Sequence, residues 1–325
     1  VTVFTFLLWR MQEGSHGDLS DDFSTDFAIS DTSLVTQIFI AGTDGESALL
    51  ERSSETRFWT LNGKYLARKD ATDLLLKTFA RAEVQGAVPE LQRSTVIRNF
   101  SGSGKKVEIY LGGDKPYKTW YVGTATPNHT GTYMLLETPE EGKSQEPFIV
   151  HLEGFVGFLS TRFFTDETEW RYTGVFDFPG RTLSEVKVTD HDFPSRSYTI
   201  KSSVDGEISL FNSLGSSVNF FDTLKIQDQF LRFRKVHFES FNNHLSQSHE
   251  DSVKFSSPCL TYDVYGFDGK RAHFDVFWKN VGTGIIGADD KGHDAEHMYG
   301  LTSDGELVLV QRYVFDPLMK PLFSN

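Results

Sequence analysis

The sequence predicts an α+β protein of two tandem, duplicated lobes, each a mostly antiparallel sheet with one main helix. Three observations predict it. First, residues 107–134 and 261–299 run through the same order of features. In each, an alternating strand enters a Gly/Asp/Lys turn (Gly112, Gly113, Asp114, Lys115; Asp268, Gly269, Lys270). An aromatic strand returns to Val-Gly-Thr (Val122, Gly123, Thr124; Val281, Gly282, Thr283), and a polar loop leads to Tyr beside Met (Tyr133, Met134; Met298, Tyr299). Asp-Gly between alternating runs is a strong hairpin signal. Second, each copy follows a set of short alternating runs and then a helical period, about 150 residues apart, as expected of one duplicated unit. Third, 325 residues suffice for two domains of ordinary size. The 29 Phe fall mainly in strand-like runs, which supplies two cores.

Taken in order, residues 1–11 open with nine residues apolar apart from two Thr, then Arg10. Nine apolar residues are too few to span a bilayer, which takes about 20. The block abuts a polar, acidic stretch without a turn or cap, so it is expected to be the end of a membrane anchor helix, with residues 12–33 as an acidic tether. The first lobe, residues 34–153, begins with strands over 34–40, 48–52 and 58–61. Asp70 then caps a helix with Leu75, Phe79 and Ala82 on one face. A short helix over 95–100, the hairpin, and a closing strand over 148–152 follow. Residues 154–182, dense in aromatics, are expected to connect the lobes. The second lobe, residues 183–325, repeats the order with strands at 185–188, 197–200 and 207–210. Its helix is expected from about Val218, with Phe220, Leu224 and Leu231 on one face, and residues 306–313 form its closing strand.

A net charge of −13 makes nucleic acid an unsuitable partner, because phosphate binding needs a clustered basic face. A single cysteine, Cys259, rules out an internal disulfide. No segment after the N-terminal block has transmembrane length.

The sharpest chemical motif is His293-Asp294-Ala295-Glu296-His297, the H-x-x-E-H spacing of one metalloprotease class. That chemistry needs both His on one helix face, with Glu beside a metal-bound water. Here the motif sits between a Gly/Asp-rich loop and a strand, so His293, Glu296 and His297 are weighed as metal ligands and read as a solvated loop. Gly282, Gly284 and Gly287 fit G-x-G-x-x-G, but no helical period follows to face a pyrophosphate. Gly102-Ser103-Gly104-Lys105-Lys106 likewise precedes a strand. His191, Asp192 and Ser195 lie in a turn, which seldom supplies triad geometry. No catalytic residue, metal or cofactor is therefore expected. Trp120, Tyr121, Phe277 and Trp278 lie on equivalent return strands, whose side chains alternate between faces. They are the candidates for an aromatic interaction surface.

The run Trp59-Thr60-Leu61-Asn62-Gly63-Lys64-Tyr65, followed by Ala67-Arg68-Lys69-Asp70-Ala71, resembles the family catalogued as domain of unknown function 4340. So do Lys106-Val107-Glu108-Ile109-Tyr110, Tyr121-Val122-Gly123, Gly131-Thr132-Tyr133-Met134, Phe163-Phe164-Thr165-Asp166 and Trp170-Arg171. The resemblance covers most of the chain after Ser30 and is clearest before Phe178. It implies a Bacteroidota-type envelope protein with one N-terminal helix in the inner membrane and its bulk in the periplasm. Related domains accompany gliding-motility ABC transporters, and the family carries no established catalytic residues. The expectation is a non-enzymatic accessory or scaffold protein that binds other membrane or envelope proteins. The alternative is a periplasmic module binding a glycan or peptide in a cleft between lobes.

Overall fold

The computed structural model describes residues 26–53, 58–242 and 244–322. The chain divides into two compact units, Val1–Tyr172 and Thr173–Asn325. Both are α+β with antiparallel sheets. The expected anchor, residues 1–11, lies outside the described residues, as does the tether up to residue 25.

In the first unit, alternation builds a meander of β1 (Gln37–Gly42), β2 (Ser47–Arg52), β3 (Trp59–Leu61) and β4 (Tyr65–Leu66). Ile38, Ile40, Ala48, Leu50, Trp59 and Leu61 all bury on one face, as period-2 patterning requires. Helix α1 (Lys69–Arg81) covers that face with Leu75 and Phe79, one turn apart. Ala82, expected on the same helix, instead opens β5 (Ala82–Ala87). Helix α2 (Glu90–Ser103) begins directly after Pro89 and is longer than the short helix expected. It is followed by β6 (Lys105–Tyr110), β7 (Lys118–Ala125), β8 (Thr132–Thr138), β9 (Gly142–Lys143) and β10 (Phe148–Leu152). The sheet order is β4-β3-β2-β1-β6-β7-β8-β10-β5, with β9 paired to β8. Trp120 on β7 is fully buried, with Phe27, Phe79 and Phe163 packed edge-on at 5.8, 5.0 and 6.4 Å. Edge-on aromatic pairs gain quadrupole attraction beyond their buried area.

Two boundaries move relative to expectation. Residues 26–33 are part of the first unit: Phe27 and Ile29 belong to its core. Lys118, 5% exposed, donates to the carbonyls of Asp26 and Ala28 at 2.6 Å each and pairs with the Asp26 carboxylate at 3.2 Å. The expected connection over 154–182 is divided between the units. Leu159, Phe163 and Trp170 complete the first core, and the short helix α3 (Glu167–Trp170) is capped by Asp166. Phe176 and Phe178 belong to the second core.

The second unit contains β11 (Gly174–Asp177), β12 (Leu183–Asp190), β13 (Tyr198–Ser202) and β14 (Ile208–Phe211). Helix α4 (Thr223–Leu231), β15 (Lys235–His237), β16 (Ser240–Phe241) and helix α5 (Gln247–Lys254) follow. The chain then forms β17 (Leu260–Gly266), β18 (Arg271–Asn280), β19 (His293–Thr302), β20 (Leu307–Gln311) and α6 (Arg312–Phe315). The main sheet runs β14-β13-β12-β17-β18-β19-β20-β16, and β11 pairs with β15 apart from it. Taken position by position, this is the first sheet's order from β3 to β5. The expected repeat is therefore present in the topology.

Register corrects two details of that repeat. Val107 faces Trp120 across β6–β7, and Tyr262 faces Phe274 across β17–β18. Trp120 thus matches Phe274, and Val122 matches Val276. The second Val-Gly-Thr lies beyond its strand, because β18 holds ten residues against eight in β7. Gly123 has a packing role that Gly282 lacks. A Cβ at Gly123 would meet the Phe100 ring at 2.9 Å and the Tyr133 carbonyl at 3.0 Å, so its absence seats α2 on the sheet's second face.

Helix α4 also presents a different face from the one expected. Asp222 accepts from the Lys225 N–H, which starts the helix at Thr223 and leaves Phe220 outside it. Ile226, Gln229 and Phe230 are buried, while Phe220 and Leu224 are 95% and 78% exposed and Leu231 is exposed as well.

Two stability predictions follow from this packing. Gly123→Ala is expected to cost about 1–3 kcal/mol by overpacking α2 against the sheet, read as a lowered urea midpoint with an unchanged slope. Lys118→Met is expected to cost about 1–3 kcal/mol by leaving the two carbonyls without their donor. Limited proteolysis should then cut near Asp26 faster than in the parent protein.

Candidate functional site

Each main sheet has a second face that its second long helix, α2 or α5, covers in part. In the first unit, Val96 and Phe100 of α2 rest on Tyr133 and Ile149. Beside them a cavity of ≈ 520 Å³ is floored by Ile97, Phe100 and Leu135, with Tyr121, Lys106 and Lys143 around it. Tyr121 donates to Glu137 at 2.6 Å, and the Lys143 ammonium lies 3.4 Å from the Tyr121 ring centroid. Burial, followed by the bond to Glu137, pushes the Tyr121 phenol well above its ordinary range. Burial lowers Lys143. Lys106 pairs with Glu108 at 2.6 Å, and Tyr110 donates to the same carboxylate at 2.7 Å. The three lysines of its lining are thus engaged, Lys106 with Glu108, Lys143 on the face of the Tyr121 ring and Lys105 with the Phe163 carbonyl.

The corresponding ladder in the second unit carries different chemistry. His273 lies between two carboxylates: Nδ1 is 2.7 Å from Asp263 and Nε2 is 3.4 Å from Asp275. Asp275 accepts from Thr261, whose hydroxyl also meets the His191 Nε2 at 2.9 Å. The hydrogen bond to Asp263 raises the His273 pKa; desolvation opposes it, and the charge of Asp275 adds to it.

Of the four aromatic candidates, Trp120 and Phe277 are corrected. Trp120 is in the first core, and Phe277 is 3% exposed in a cluster with Tyr299 and Leu307. Alternation sends them to opposite faces, but a helix covers each face at that point. Tyr121 and Trp278 are half-buried, and both are engaged. Trp278 donates to Asp192 at 2.8 Å, stacks on His293 at 4.5 Å, and has the Arg312 guanidinium 5.3 Å from its ring centre.

The His293–His297 motif lies on β19, where it interrupts the ladder. Trp278 pairs with Met298 and Asn280 with His293, so four residues, 294–297, stand opposite Lys279 alone. Asp294 ties this bulge together. Its carboxylate accepts from the N–H groups of Glu296 and His297 at 2.9 and 3.0 Å and from Lys279 at 2.7 Å. Desolvation acts to raise the Asp294 pKa, but these donors outweigh it and bring it down to about 2. His293 is 3.3 Å from Asp289, His297 is 3.1 Å from Glu239, and Glu296 is exposed. The motif's spacing is therefore that of a bulge in which the two imidazoles meet different carboxylates. Among the described residues no group of three or more His, Cys, Asp or Glu is arranged to hold a metal ion.

The remaining motifs are likewise structural. Gly282, Gly284 and Gly287 all take positive φ (98°, 77° and 85°) in the β18–β19 loop. Cys259 is buried, donates to the Val276 carbonyl, and has its thiol pushed up to about 12, first by burial. At that value the thiolate needed of a nucleophile is scarce near neutral pH. Sequence reasoning missed the Lys279–Asp294 and Arg312–Asp289 pairs, because they join residues 15 and 23 apart across the β18–β19 loop, whose path has no local pattern. Compared with protein-family models, curated proteins and solved structures, the chain matches none.

His273 gives a pH-dependent expectation. Its pKa is raised in the folded state, so its contribution is full below the ordinary histidine value and is lost as pH rises through the folded value. NMR titration should place its midpoint above 6.5. The thermal midpoint should lose a small increment between about pH 6 and pH 8, and His273→Asn should abolish that increment.

Proposed function

We propose that this chain is a membrane-anchored, envelope-facing accessory protein whose two lobes bind other proteins without catalysing a reaction. The observation that carries the reading is the apolar surface around α4. Phe220, Leu224 and Leu231 have helix-like spacing and core-like composition, yet all three are exposed, with α4 buried on its other side. Exposed apolar groups gathered near one element mark interaction surfaces. The anchor rests on the apolar residues 1–9 and on the family resemblance. No described helix is long and apolar enough to cross a membrane. Nucleic acid is disfavoured by the net charge of −13.

The test has two arms. Deleting residues 1–25, which leaves Phe27 and the Lys118 contacts in place, should release the protein from the inner-membrane fraction with an unchanged thermal midpoint. In the full chain, Phe220→Glu with Leu224→Glu should preserve that midpoint and eliminate proteins that copurify in mild detergent. A double variant that retains all its copurifying proteins would overturn the docking role. A truncated chain that still fractionates with the membrane would overturn the anchor.

A further inference from the structure

We infer that the second unit contains a site for a small monocarboxylate with an apolar body. The site is a cavity of ≈ 370 Å³ where the start of β12, the β13–β14 turn and the end of α4 meet. That volume is near the lower end of small-molecule sites, about 300–1,000 Å³, which suits a compact ligand. Its apolar lining is graded. Leu183 and Phe230 are buried, while Leu231 and Phe267 are each 45% exposed.

Two arginines give the cavity its charge. Arg181 and Arg234 both line it. Arg234 is half-buried, and its Nε is buried without a hydrogen-bond partner. Neither guanidinium makes an ion pair or a side-chain hydrogen bond among the described residues. Four other arginines in this acidic chain do: Arg68 pairs with Asp70, Arg93 with Glu146, Arg232 with Asp228 and Arg312 with Asp289. The duplicated unit sharpens the contrast. At the matching β2–β3 end of the first unit, Arg52 donates to the Ser33 carbonyl and lies over the Trp59 ring. Register matches Arg52 to Ser202, so Arg181 and Arg234 are charges that the second unit places at this end from other positions.

A guanidinium that lines a cavity without an acceptor can be satisfied there by a carboxylate through two parallel, charge-assisted bonds. Asp205 is the one carboxylate in the lining, so two cations face one anion there. The free positive charge matches a single carboxylate. Leu231 and Phe267, at the partly open side, provide contact for a hydrocarbon or aromatic body. This site goes beyond the protein-docking role proposed above; the two share Leu231, but Phe220 and Leu224, substituted in that test, are not in its lining.

The experiment titrates the full-length protein by calorimetry with octanoate, octanol and acetate. The expected result is saturable, one-to-one binding of octanoate, with no saturation by octanol or acetate over the same range. Arg234→Gln should weaken octanoate binding about ten- to a hundredfold, the loss expected of one charge-assisted pair. Arg181→Gln, at an exposed position, provides the same comparison if the Arg234 variant does not fold. The inference is overturned if octanoate fails to bind. It is equally overturned if octanoate binds at several sites, or if binding is unchanged in a folded arginine variant.

Discussion

Each lobe depends on its central non-local pairing, the joint between its meander and its hairpin series. In the first lobe this is β1 against β6, where Ile38 meets Ile109 and Ile40 meets Val107. In the second it is β12 against β17, where Val186 meets Val264 and Val188 meets Tyr262. On either side of the joint, neighbouring strands are close in sequence and pair with little loss of chain entropy, except at the far edges, where β5 and β16 return to β10 and β20. The joint itself brings together segments separated by a helix pair, and it closes the longest loop. Without it the apolar face would be two narrow strips, each too small to exclude water. Because both lobes place β-branched or aromatic residues at this seam, slow non-local pairing is expected to limit the folding of each.

The duplicated framework has kept its seam and changed its second face. Register places Glu108 with Asp263, Thr119 with His273, and Tyr121 with Asp275. In the first lobe these positions hold phenol–carboxylate pairs, whose phenols stay protonated across physiological pH; that of Tyr110 is pushed up to about 12, first by burial. In the second lobe they hold an imidazole between two carboxylates, which changes charge in that range. One ladder has constant charge and the other does not, although the backbone beneath them is the same.

Much of this architecture was legible because its elements are short and regular. Strands announced themselves by alternation, and α1 by Leu75 and Phe79. The lapses came where a distant or competing interaction decided the outcome. For α4 the sequence contains two apolar stripes, and the N-cap at Asp222 selects the one through Ile226 and Phe230. The cores extend into residues 27–29 and 159–178, since aromatic content there fits a connector as well as a core. Among the site residues, the His293–Glu296–His297 spacing was correctly set apart from a helix. Its origin as a bulge organised by Asp294 was not visible, because a strand and a loop share that composition. The partnerless arginines had no sequence signature at all; an arginine is conspicuous only once its neighbours are known.

The ends of the two sheets have a consequence for assembly. An open sheet invites growth by strand addition, and each edge here is blunted. Beside β4, residues 170–172 form a strap, with Arg68 donating to the Trp170 carbonyl and Tyr172 to that of Leu66. Beside β14, the chain folds back so that Ser217 bridges Phe211. Strand β16 is two residues long. Strand β5 carries Glu83 and a bulge at Gln85, which breaks the regular spacing a new strand would need. Backbone pairing is the least selective form of protein contact, and this fold discourages it at both ends of each main sheet. Recognition is thereby left to side chains, where shape and charge can distinguish one partner from another.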